Sequence, residues 1–71
     1  MNRIHFKKLL HSKWTARNPK GSERHFEVVG LLPRETEAPH LIVVEAIYTN
    51  RLYTMPWDGL KDRSRWIVGW K

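Results

Sequence analysis

Cysteine is absent from the 71 residues, so no disulfide can staple the chain and no thiolate can hold a metal. Long apolar runs are absent too. A run such as Leu41 to Val44 falls far short of the ~20 residues needed to cross a bilayer as a helix. Acidic residues are few, seven Asp and Glu against thirteen Lys and Arg. No P-loop or GxGxxG occurs, and His5, His11, His25 and His40 are scattered without the HxxxH spacing of a metal site. The serines and threonines form no nucleophile motif. Asp58 and Asp62 stand four apart, and their context suits a capping aspartate and a partner for Lys61, Arg63 or Arg65. The chain therefore offers no constellation of nucleophile, acid and base, and a non-enzymatic protein is expected. No cofactor, metal or small-molecule substrate is expected either, and the default site of action is the cytoplasm.

The chain is rich in tryptophan, with Trp14, Trp57, Trp66 and Trp70, three of them in the last fifteen residues. A domain this short has little core to draw on. At roughly 150–250 Å² per aromatic, four indoles could remove on the order of 600–1,000 Å² from water, so most of them are expected to be structural. Trp14 and Trp57 have strand-like and apolar neighbours that suit a core. Trp66 and Trp70 lie beside Arg65 and Lys71, a context compatible with a core or with an exposed recognition surface.

Charge is uneven along the chain, whose net is +6. Residues 1–24 carry Arg3, Lys7, Lys8, Lys13, Arg17, Lys20 and Arg24 against Glu23 alone. The middle is mildly acidic, and residues 61–71 are basic again through Lys61, Arg63, Arg65 and Lys71. If the two ends meet in space, they form one cationic face for a polyanion.

The local pattern predicts a mainly β chain. Residues 1–12 read as a short helical turn or a flexible basic arm, Phe6, Leu9 and Leu10 having helical spacing. Trp14-Thr15-Ala16 suits a strand, ended by the turn-formers Asn18 to Ser22. His25 to Leu32 reads as a strand with Phe26, Val28 and Leu32 on one face, and Pro33 closes it. Residues 34–40 read as a polar loop. Leu41 to Thr49 and Leu52 to Met55 read as a hairpin reversing at Asn50-Arg51, with Ile42, Val44, Ala46 and Tyr48 on one face. Trp57 to Asp62 reads as one helical or 3₁₀ turn, and Trp66 to Trp70 as a closing strand with both indoles on one face. The expected architecture is one small domain over residues 1–71. Its form is a small antiparallel sheet or an SH3-like barrel of three to five strands, with one short helical turn.

Several blocks carry a resemblance. They are Lys7-Lys8-Leu9-Leu10, Ser12-Lys13-Trp14-Thr15-Ala16, Arg24-His25-Phe26, Glu45-Ala46, Arg51, Trp57, Leu60-Lys61-Asp62, Trp66 and Gly69-Trp70. In this order and spacing the chain resembles a family of small bacterial tryptophan-rich conserved hypothetical proteins. The resemblance implies a compact domain and supplies no catalytic role.

Basic residues interleaved with aromatics at both ends point to RNA or a ribonucleoprotein as the partner. Lys7, Lys8, Lys13, Arg17, Arg63 and Arg65 would neutralise phosphates, while Trp66 and Trp70 would stack on unpaired bases. The alternative is a protein-interaction module with an aromatic groove or an open strand edge, for which Tyr48, Trp66 and Trp70 are candidates. There the acidic loop at Glu35 and Glu37 would select basic partners.

Overall fold

The computed structural model describes residues 2, 4–32 and 40–71, so Pro33 and nearly all of the expected polar loop, with Glu35 and Glu37, lie outside the described residues. The strands are β1 (Lys13–Lys20), β2 (Glu23–Leu31), β3 (Leu41–Ala46), β4 (Arg51–Pro56) and β5 (Trp66–Val68). They form one antiparallel sheet in the order β4-β3-β2-β1-β5. The order leaves β4 and β5 as opposite edges. Of the two expected forms, the chain therefore takes the open sheet and not a closed barrel. Among the described residues the remaining regular pieces are two 3₁₀ turns, Phe6–Lys8 and Trp57–Lys61.

The first hairpin is longer than its residues suggested. Asn18 and Pro19 do not end β1, which continues to Lys20 before Gly21 (φ +60°) and Ser22 reverse it. Thr15 faces His25 and Lys20 faces Glu23, five steps along β1 against two along β2. The surplus bulges out, and Pro19, which cannot donate to a ladder, falls within that irregular stretch. A second bulge decides the inner face of β2. Val28 faces Val44 while Gly30 faces Val43, so Val29 is the extra residue and side-chain alternation flips beyond it. Leu31, opposite the buried Ile42, therefore packs on the core where strict alternation assigned Leu32.

The β3–β4 hairpin follows its pattern more closely. β3 stops at Ala46, and Ile47 to Asn50 form the reversal, with Asn50 left-handed at φ +62°. Ile42, Val44 and Ala46 are fully or nearly fully buried, whereas Tyr48 sits out in the turn. They join Leu9, Trp14, Phe26, Val28 and Leu60 in a core on one face of the sheet. The second 3₁₀ turn brings Leu60 onto that face. Asn2 ties the N-terminal segment down through bonds from its Nδ2 to the carbonyls of Leu60 (2.9 Å) and Trp66 (3.1 Å). Residues 4–12 are therefore packed, through Ile4, Phe6 and Leu9, and are not a free arm.

Among the described residues, the second face is covered most closely beside β1. Thr15, 1% exposed, lies under the C-terminal tail: its hydroxyl donates to the Gly69 carbonyl (2.7 Å) and accepts from Lys71 N–H (2.9 Å). Toward β4 the same face shows Leu41 and Leu52 to solvent. Among the described residues no helix is long and apolar enough to cross a membrane.

Candidate nucleic-acid interface

Pairing of β5 with β1 joins the two ends of the chain: Ala16 faces Trp66, Thr15 faces Ile67 and Trp14 faces Val68. One step further along, Arg17 N–H donates to the Arg65 carbonyl at 2.8 Å, and Arg17 Nε donates to the Arg63 carbonyl. Three guanidinium-bearing residues are thereby gathered at one corner. Asp62 shapes it. Its Oδ1 accepts from both the backbone N–H (2.9 Å) and the hydroxyl of Ser64, while its carbonyl accepts from the N–H groups of Arg65 and Trp66. Asp62 is thus the residue that closes the turn into β5, rather than a simple charge partner. The Ser64 hydroxyl and then its N–H hold the Asp62 carboxyl below its ordinary range. Asp58 lies in the first turn of Trp57–Lys61, whose N-cap is Pro56 and receives no side-chain cap.

Trp66 is half-buried beside this corner. Its ring meets Phe26 edge-on at 5.3 Å, and Phe26 meets Tyr53 at 6.2 Å, so three aromatic rings run in a row across the inner face. Beside them lies a groove of about 250 Å³, largely apolar, lined also by Val44, Ala16 and Met55. Glu23 stands on its rim, its carboxylate accepting from Thr49 Oγ1 and Tyr53 Oη (2.6 Å). Those two bonds, Thr49 first, lower the Glu23 pKa, and the same carboxylate raises that of Tyr53. Trp66 also lines a more polar hollow of about 420 Å³ with Ala16, Asn18 and Arg65. On the opposite face Arg17 and Arg24 line a third hollow, of about 320 Å³, with Thr15 and Ile67.

Trp70 occupies a different place from Trp66. Gly69 adopts φ +85°, which breaks strand alternation and turns the last indole onto the outer face. There Trp70 Nε1 donates to the Phe26 carbonyl (2.9 Å), the ring lies 5.8 Å from His25, and Lys13 Nζ sits 5.2 Å from its centre. The ring remains 41% exposed. The two indoles expected on one face are therefore split between the two. Lys7 and Lys8 belong to neither cluster. They flank a hollow of about 520 Å³ with His5, Phe6 and His40, where Phe6 stacks on His40 at 4.1 Å.

Of the remaining indoles, Trp14 is 2% exposed and bonded through Nε1 to Ser12 Oγ (2.9 Å). Trp57 is half-buried against Phe6, with Lys61 Nζ 4.5 Å above its ring. Among the described residues no group of three or more His, Asp or Glu is arranged to hold a metal.

Composition and charge pointed to neither the groove nor Arg24. Phe26 lies on β2 and Tyr53 and Met55 on β4, and only cross-strand register lines them up. Arg24 enters because the bulged hairpin folds β2 back beside Arg17.

Geometry and sequence together define a class: a small, basic, open antiparallel sheet with aromatic residues on both faces. Within that class the chain belongs to the tryptophan-rich protein family DUF2389, whose family model matches residues 12–71. No curated protein matches the chain. No solved structure matches it.

Proposed function

We propose that the chain is a non-enzymatic binding module for single-stranded RNA or a ribonucleoprotein, docking it at the Arg17–Arg63–Arg65 corner in the cytoplasm. One observation supports this reading: the β1–β5 pairing brings Arg17, Arg63 and Arg65 to one corner of the sheet, where Arg65 shares a hollow with the half-buried Trp66, whose ring also lines the aromatic groove. Guanidinium groups suit phosphate because they offer forked donors, and Arg17 is oriented through its Nε by the Arg63 carbonyl. An unpaired base stacked against Trp66 would add about 1–3 kcal/mol with little sequence preference. Arg24 and the Lys13–Trp70 pair extend cation and ring to the outer face. Lys7 and Lys8, in their separate hollow, add long-range attraction only.

Fluorescence anisotropy of a labelled single-stranded oligonucleotide tests the reading. About four phosphate contacts give a log–log salt slope near −3. Trp66→Ala and the pair Arg63→Ala with Arg65→Ala should each weaken binding about tenfold or more, and more than Lys7→Ala with Lys8→Ala. Binding that ignores salt, or that falls equally for both pairs, removes the corner from the function.

The apolar groove favours a second reading, a protein ligand gripping Trp66, Phe26 and Tyr53 with an extended segment. Capture from lysate separates the two. Partners that persist after nuclease treatment in high salt favour the protein ligand, and partners lost on nuclease treatment favour RNA.

A further inference from the structure

The outer edge of β4 has a backbone pattern that fits itself. Trp57 N–H donates to the His40 carbonyl at 3.0 Å, just beyond the Leu41–Pro56 pair that ends the β3–β4 ladder. Hydrogen-bonded pairs alternate in an antiparallel ladder, so Met55, Tyr53 and Arg51 direct their backbone groups toward β3. Leu52 and Thr54 direct theirs away from the sheet, and among the described residues no strand meets them, β4 being an edge. Pro56 has no N–H to offer. At the other end Asn50 leaves the extended region, and its N–H is spent on the Ala46 carbonyl at 2.7 Å. The edge therefore offers complete N–H and C=O pairs at Leu52 and Thr54, and a carbonyl alone at Pro56.

We infer that two copies of this chain pair antiparallel through that edge, with Tyr53 on the two-fold axis. Only this register bonds both the N–H and the C=O of Leu52 and of Thr54, placing Leu52 of each copy opposite Thr54 of the other. A shift of two residues one way sets Leu52 against Pro56, which cannot donate. The same shift the other way sets Thr54 against Asn50, which has turned out of line.

The charges agree with this register. Tyr53 donates to Glu23 at 2.6 Å, and Arg51 shares the Tyr53 face of β4. Across the axis the second copy's Arg51 is a diagonal neighbour of Tyr53 at roughly 7–8 Å, within reach of a long side chain. Each copy thus brings one Glu23 carboxylate and one Arg51 guanidinium to the junction. Apolar exposure is concentrated here as well: Leu41, Ile47, Tyr48, Leu52 (63% exposed) and Tyr53 all belong to the β3–β4 hairpin. Arg51 and Pro56 at the ends of the edge limit pairing to this short register and oppose open-ended stacking. The pairing requires no nucleic acid and stands apart from the arginine corner.

Sedimentation equilibrium of the intact chain over a concentration series tests the pairing, with a reversible monomer–dimer equilibrium expected. Thr54→Pro deletes one outward donor from each copy and should weaken association about tenfold or more, whereas Thr54→Val, which keeps the N–H, should not. Because the chain lacks cysteine, single thiols report the register. Tyr53→Cys places two thiols opposite one another in a close, non-hydrogen-bonded pair and should give a disulfide-linked dimer on mild oxidation. Leu52→Cys and Thr54→Cys, each facing a different residue, should crosslink far less. A chain that stays monomeric throughout, Thr54→Pro that associates like wild type, or three cysteine variants that crosslink equally would each overturn the pairing.

Discussion

Thr15 ties the C-terminal tail to the sheet, and its replacement by valine keeps nearly the same shape while deleting one hydroxyl. That hydroxyl donates to the Gly69 carbonyl at 2.7 Å and accepts from Lys71 N–H at 2.9 Å, in a site only 1% exposed. Each lost intramolecular bond is worth about 0.5–1.5 kcal/mol, so Thr15→Val should cost on the order of 1–3 kcal/mol. The lower half of that range is expected, because the freed tail is partly exposed and can reach water. In a domain of this size each kcal/mol corresponds to a fall in Tm of roughly 4–8 °C. Release of the tail also frees Trp70 from the Phe26 carbonyl and from Lys13, while Arg17 N–H to Arg65 persists. Urea unfolding followed by tryptophan fluorescence, with Trp70→Phe as reference for the Trp70 signal, measures both effects. Oligonucleotide affinity should survive largely intact, since the arginine corner does not depend on residues 69–71. A midpoint within error of wild type, with native Trp70 emission unchanged, would refute the clamp. A loss of affinity equal to that of the Arg63 and Arg65 changes would place the working surface on the tail instead.

Further outcomes are expected. Trp14→Ala empties the centre of the core and should cost about 3–5 kcal/mol, a large part of the stability of any small domain, and circular dichroism should show loss of the folded state near physiological temperature. Gly69→Ala meets no atom within 4 Å but imposes a side chain on φ +85°, for a cost of roughly 1–2 kcal/mol. Gly59→Ala only pushes the flexible Met55 methyl, 2.8 Å from the new Cβ, and should cost less on thermal unfolding. Glu23 has its pKa lowered in the folded state by Thr49 and Tyr53, so the unfolded chain binds that proton more tightly. Its contribution is present above the ordinary carboxylate range and lost as pH falls through the folded value. The stability gap between wild type and Glu23→Gln should therefore narrow on acidification, and a gap constant from neutral to acid pH would contradict the assignment.

Strands were legible in the sequence where a single alternation runs unbroken. Ile42, Val44 and Ala46 announce their buried face because β3 is bonded on both sides without a bulge. Leu31 did not, because the extra residue Val29 in β2 reverses the faces, and no local signal separates a bulge from a regular strand. Asn18 and Pro19 read as a turn because their local chemistry is that of a turn, yet a bulge accommodates both inside β1. Trp66 and Trp70 looked equivalent by spacing. The left-handed Gly69 between them makes one a wall of the inner groove and sets the other beside His25 and Lys13 on the outer face.

By itself the sequence determined that the chain is a small, basic, cysteine-free β domain whose indoles must supply core. Those properties follow from composition and short-range periodicity, which need no knowledge of neighbours. Only the tertiary structure decided that the sheet stays open, which arginines share a corner, and that Phe26, Tyr53 and Trp66 line one groove. These are consequences of strand order and register, which bring together residues distant in the chain, as in Trp66 with Phe26 and Tyr53 with Glu23.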